Sequence, residues 1–253
     1  YMEDLYRAGG LAPILRELGD SLNLDCLTVS GRTLREDIAT AEPDWGQQVV
    51  KTKADPIYKE GGIAVLRGNL APGGAIIKQS AAAILQQEGR AVVFSSLEDM
   101  AERLDSPDLD VEADDVLVLQ NAGPKGAPGM PESGYIPIPK KLAAAGIKDM
   151  VRISDARMSG TAFGSIVLHC TPEAAVGGPL GLVRTGDRIR LDVPARTLEL
   201  LVDEAELERR KAEFQPPYHE GQERGYLKLY LEEVTQADTG ADFEFLRAVR
   251  KQP

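Results

Sequence analysis

An α/β fold with a curved, barrel-like mixed sheet is what this sequence predicts. Short branched and apolar runs, such as Val116–Leu119 and Val151–Ser154, recur as strand candidates. Helix-like stretches separate several of them, one opening on a serine and acidic residues at 95–99. Near the end, two strand candidates are joined by Pro194-Ala195-Arg196, a hairpin signal, so crossovers and hairpins share one sheet.

Residues 1–18 read as a helix whose apolar face (Leu5, Leu11, Ile14, Leu15, Leu18) is interrupted by Gly9-Gly10. Gly19 is a plausible stop. A short apolar run follows at 24–29, then a short helix at 33–39. Residues 40–62 are polar, with Pro43, Pro56 and Gly61-Gly62, and read as a linker or surface crossing. Strands are predicted over 63–66, 75–78, 91–94, 116–119, 151–154, 165–169, 187–193 and 197–201. Helices are predicted over 80–87, 96–104, 203–214 and 221–234. The acidic stretch 105–115, with Pro107, reads as a solvated loop.

The 253 residues suffice for one sizeable core, or one domain plus part of another. A net charge of -11 with no basic run argues against nucleic acid. No window approaches the roughly 18 consecutive apolar residues of a membrane span. Two distant cysteines, Cys26 and Cys170, have no metal-ligand spacing. Both sit in apolar runs and read as small core residues. With no secretory signal at the start, this usage predicts a reducing cytoplasm.

The stretch from Val151 to Gly164, VRISDARMSGTAFG, carries the most chemistry. A strand candidate breaks into a polar, glycine-punctuated turn, a common way to hold a reactive hydroxyl at the lip of a sheet. Asp155 and Arg157 are placed to supply a carboxylate anchor and a positioning hydrogen bond. Residue types alone describe an ordinary strand-to-helix turn with a capping serine more readily than a reactive site. Ser159 has no histidine nearby in sequence. The chain holds only His169, read as a satisfied core residue, and His219, read as surface, so a Ser-His-Asp hydrolase is poorly supported. Arg67, Asn69 and Lys78 fall in VLRGNLAPGGAIIK, a glycine-rich segment without a P-loop pattern. Asn69 and Lys78 are read as structural residues first and pocket or interface residues second.

SDARMSGTAFG, with the upstream GPKGAPGMPE (residues 123–132), resembles the C-terminal signature of the IlvD/Edd family of dihydroxy-acid and sugar-acid dehydratases. The likeness extends through YMEDLYRAGGL, GRTLRED, VLRGNLAPGGAIIKQSA, HCTPEAAVGGPLGLVRTGDRI and GYLKLYLEEVTQADTGADFEFL, in order. The tail most resembles the pentonate branch, such as the L-arabinonate dehydratases.

The resemblance sharpens the fold to the swivelling β/β/α barrel, like the last domain of aconitase. It makes residues 1–55 the end of an N-terminal, cluster-binding domain with its linker, and 56–253 the C-terminal domain. It implies conversion of a 2,3-dihydroxy sugar acid to a 2-keto-3-deoxy acid. Ser159 would serve as an alkoxide base. Thr161 would bind substrate or orient the serine, a backbone-capping role being equally open. Glu132 would be a Mg²⁺ ligand, although composition alone would leave it a solvated surface residue. The family's iron–sulfur cluster, of the [2Fe–2S] type, is held by cysteines that neither Cys26 nor Cys170 matches. The chain is therefore read as the C-terminal part of a longer enzyme, inactive alone, whose partners are that N-terminal domain and further copies in a homodimer or homotetramer. The alternatives are the dihydroxy-acid dehydratase of branched-chain amino-acid synthesis, or a non-catalytic assembly module.

Overall fold

The computed structural model describes residues 1–39, 47–130, 132, 136–160 and 162–247. The chain divides into two compact units, Tyr1–Gly61 and Gly62–Pro253.

In the first unit the opening helix is two helices. α1 (Met2–Arg7) and α2 (Leu11–Leu18) are separated by Gly9 and Gly10, both at positive φ, where helical hydrogen bonding stops. α3 (Leu34–Ala39) follows a tight turn. Little is buried here beyond Ala8, Leu24 and Ile38. Cys26 is exposed, which corrects its reading as a core residue. Its backbone is engaged instead, its N–H donating to Asn23 O and its carbonyl accepting from Leu34.

The second unit is built on eight strands. They are β1 (Ala64–Leu66), β2 (Gly74–Ile77), β3 (Gln86–Phe94), β4 (Val116–Leu119), β5 (Val151–Ser154), β6 (Ile166–Thr171), β7 (Arg188–Asp192) and β8 (Thr197–Leu200). Their order in the sheet is β1-β2-β6-β5-β4-β3-β7-β8. β3, β4, β5 and β6 are parallel, and the outer pairings are antiparallel. The sheet nearly closes on itself. Past the end of β1, Arg67 N–H donates to Arg196 O and Arg67 O accepts from Leu198, at the start of β8. Gly68 lies on this seam, where a Cβ would stand 2.1 Å from the Leu198 carbonyl oxygen. The predicted α/β class with a barrel-like mixed sheet is therefore what the chain forms.

Strand alternation divides the apolar residues between two cores. Val116, Val118, Val151, Ile153 and Val167 point into the barrel with Leu66, Ile77, Ile189, Leu191, Leu198 and Leu200. Leu117, Leu119, Ile166 and Leu168 point outward and are covered by the connections between parallel strands. α4 (Leu97–Arg103), capped by the Ser96 side chain on Asp99 N–H, joins β3 to β4. α5 (Lys140–Ala144) lies on the way from β4 to β5. The fully buried Leu and Ile side chains each contribute about 1.5–3 kcal/mol. α6 (Glu204–Ala212) and α7 (Gly225–Glu233) follow the barrel.

The helix predicted over 80–87 does not form. After a short 3-10 turn, Ala83 N–H donates to Asp149 and Ile84 N–H to Ser165 Oγ. Gln86–Arg90 then pair with β7, extending β3 well beyond its predicted start at residue 91. The acidic stretch 105–115 is only partly solvated, since Leu109 and Val111 are buried and Asp115 pairs with Arg90 at 2.7 Å.

Candidate functional site

Two crossovers carry the candidate residues. One leaves β4 at Gln120 and returns to β5, passing Glu132. The other leaves β5 at Asp155 and returns to β6, passing Ser159. No helix forms in the described part of the second, so the strand-to-helix turn is corrected to an irregular crossover. It lies over the outer core, where Ala156, Met158 and Ala162 pack. Ser159 lies between Met158 and Ala162 on this crossover.

Buried charge fixes where each crossover starts and ends. At the exit of β5, Asp155 is 1% exposed and accepts from Ala122 N–H at 2.9 Å and Ala174 N–H at 2.8 Å. Burial pushes its carboxyl up to about 6, against the opposing pull of those two donors. Lower down, Arg152 is 2% exposed and paired with Asp149 at 2.8 Å. Its guanidinium also donates to Ile136 O on the first crossover and Phe163 O on the second. Asp149 in turn accepts from the N–H and Oγ of Ser165.

Between these ends, three side chains hold the Ser159 turn. Arg157 Nε donates to Met130 O at 3.3 Å, and its Nη2 lies 3.6 Å from Glu132 Oε2. The two crossovers are joined there, with Arg157 and Glu132 each about half exposed. His169 accepts the Met158 N–H on Nε2 at 2.9 Å, so its proton is on Nδ1. Burial, and then the charge of Arg157, hold its pKa below the usual 6.5. His169 is satisfied, as expected, but it is half-buried rather than in the core, and its partner is the backbone of the turn. Lys78 Nζ donates to the carbonyls of Ser159 at 3.4 Å, Gly160 at 2.8 Å and Ala162 at 3.0 Å. Thr161, the other expected site residue, lies outside the described residues.

The GPKG segment is held from elsewhere. Buried Glu173 accepts the N–H groups of Lys125 and Gly126, both at 2.9 Å, and a 2.6 Å bond from Gln236 Nε2 in the tail. His219, expected at the surface, is half-buried and its Nε2 contacts Lys125 O at 2.8 Å. Asn69 is structural, pairing with the backbone N–H and carbonyl of Leu200.

As a metal centre this chain is incomplete. Among the described residues no three His, Cys, Asp or Glu side chains converge. Glu132 is a solvent-facing oxygen donor and fits as one ligand to a hard divalent cation. The cysteines do not fit a cluster. Cys26 is alone in the first unit, and Cys170 is wholly buried, with burial and Asp155 pushing its thiol far up. Among the described residues no helix is long and apolar enough to cross a membrane.

Known proteins match this sequence over nearly the whole chain. A family model described as dihydroxy-acid/6-phosphogluconate dehydratase C-terminal matches residues 48–241. An L-arabinonate dehydratase of Rhizobium leguminosarum bv. trifolii is 48% identical over 98% of this chain and 43% of that protein. A 6-deoxy-6-sulfo-D-gluconate dehydratase of Pseudomonas putida is 48% identical over 100% and 44%. A dihydroxy-acid dehydratase of Methanothrix thermoacetophila is 42% identical over 95% and 44%. The chain spans less than half the length of these relatives. The chain belongs to the dihydroxy-acid/6-phosphogluconate dehydratase family, as a copy of its C-terminal domain.

Proposed function

We propose that this chain supplies one half of the active site of a dehydratase converting a 2,3-dihydroxy sugar acid to a 2-keto-3-deoxy acid and water. The observation that carries the reading is the Arg157 bridge. Its contacts with Met130 O and Glu132 bring a solvent-facing carboxylate and the Ser159 turn together across 27 residues of sequence.

In this reading Ser159 Oγ, as an alkoxide, takes the proton from the carbon beside the substrate carboxylate. The 3-hydroxyl leaves as hydroxide and takes up the proton held on Ser159 to become water, and the enol so formed tautomerises to the keto acid. Glu132 would be one ligand of a divalent cation such as Mg²⁺, which when bound draws charge from the substrate carboxylate and 2-hydroxyl. Thr161 is proposed to bind substrate. The Lewis acid that activates the leaving hydroxyl, an iron–sulfur cluster, would belong to an N-terminal domain of the same enzyme, since no cysteine here fits it. Phe163, four residues beyond Ser159, is 70% exposed, as a residue awaiting a partner domain would be. Sugar-acid dehydratases at 48% identity, against 42% for the dihydroxy-acid enzyme, favour a sugar acid over the branched-chain substrate.

The test is the whole enzyme, assayed with a panel of pentonates for a 2-keto-3-deoxy acid. Ser159→Ala should lower turnover by about 10²–10⁴-fold or more while the folded, metal-loaded protein persists. Near-normal dehydration by that variant would remove Ser159 from the mechanism. Failure of the wild type on every sugar acid, with turnover of a branched dihydroxy acid, would change the substrate class.

A further inference from the structure

The segment VLRGNLAPGGAIIK ends in a lysine whose side chain leaves the sheet and enters the Ser159 turn. Lys78 follows β2, and its strand partner β6 begins just where the Ser159 crossover ends, Ile77 being registered with Val167. An ammonium group carries three protons. Here three backbone carbonyls, those of Ser159, Gly160 and Ala162, lie within 3.4 Å of the nitrogen. The half-buried ammonium thus occupies the place a small monovalent cation would take in a ring of carbonyl oxygens.

The turn has little regular structure to keep its shape. Among the described residues, Ala162 N–H donates to Ser159 O at 3.2 Å within the turn, and Gly164 N–H donates outward to Ala81 O at 3.0 Å. Carbonyls brought together repel one another, and without a central donor the turn has reason to open. A positive charge in a half-buried setting also favours a developing anion beside it.

We propose that Lys78 is a positioning residue of the dehydratase site, its ammonium acting as a built-in cation that shapes the turn and sets the Ser159 hydroxyl toward the substrate. The inference rests on the reading of Ser159 as the base. It separates Lys78 from a merely stabilising lysine, because the contacts converge on the turn itself and not on the strands around it.

The test uses the whole enzyme and compares wild type, Lys78→Met and Lys78→Ala. Misplacing the base should lower kcat per folded site by about 10²-fold, while KM stays within about threefold. Propylammonium added to Lys78→Ala should restore part of kcat, as it supplies the missing donor without altering the chain. Hydrogen–deuterium exchange should quicken about tenfold or more over residues 157–164 and leave β5 and β6 unchanged. A kcat within threefold of wild type for Lys78→Met would overturn the proposal. So would a loss with no amine rescue and faster exchange throughout the barrel, which is the signature of general destabilisation. If the wild type dehydrates no sugar acid or dihydroxy acid, the dehydratase reading falls instead, and the exchange comparison alone decides whether Lys78 holds the turn.

Discussion

His169 Nε2 accepts the backbone N–H of Met158 at 2.9 Å, one residue before Ser159. A protonated imidazole has no acceptor nitrogen, so acid breaks this bond. Burial and Arg157 lower the folded-state pKa below 6.5, so the unfolded chain takes up the proton first as pH falls. The contribution of His169 is therefore complete above about 6.5 and lost as pH drops through the lowered folded value. The Tm advantage of wild type over His169→Phe should shrink between pH 7 and pH 5. A constant difference across that range would show that the bond carries no pH dependence.

Asp155 responds with the opposite sign. Its folded pKa is raised to about 6 from 3.8, chiefly by burial. Between those values the folded state holds a proton that the unfolded state has released, so stability from this group rises as pH falls from 6 to 4. The gain is on the order of 1–3 kcal/mol, since one pKa unit is about 1.4 kcal/mol. Denaturant titrations of wild type and Asp155→Asn at pH 5 and pH 7 should show wild type gaining on the variant at the lower pH. The reverse trend would mean that Asp155 is ionised in the folded protein throughout.

Arg152 should be the costliest single charge to remove. Arg152→Met leaves the largely buried Asp149 without its cationic partner and frees Ile136 O and Phe163 O together. Breaking such a pair costs about 3–5 kcal/mol. The loss should appear as a lower denaturation midpoint with an unchanged slope. A loss under about 1 kcal/mol would show that water replaces the guanidinium freely.

β4 and β5 were legible to the residue in the sequence. Val116–Leu119 and Val151–Ser154 are buried on both faces, and such strands read as short continuous runs bounded by polar breaks. The segment 80–87 misled because alanines favour a helix only where nothing competes, and here Asp149 and Ser165 capture its backbone. α5, five residues long, is too short to show a period. Ser159 and Glu132 stood out through the motifs around them. Lys78 and His169 were read as structural first, because their meaning lies in carbonyls and an amide that sequence cannot bring near. Lys78 reaches partners 81 to 84 positions away.

The seam at Gly68 bears on how this molecule meets others. A sheet ending in open strands offers a ladder of unpaired amides and carbonyls to any passing chain. Here the outermost strands come back to each other, with Arg67 answered by Arg196 and Leu198. Recognition is thereby left to side chains and irregular segments, which can change from one relative to the next without disturbing the ring that carries them.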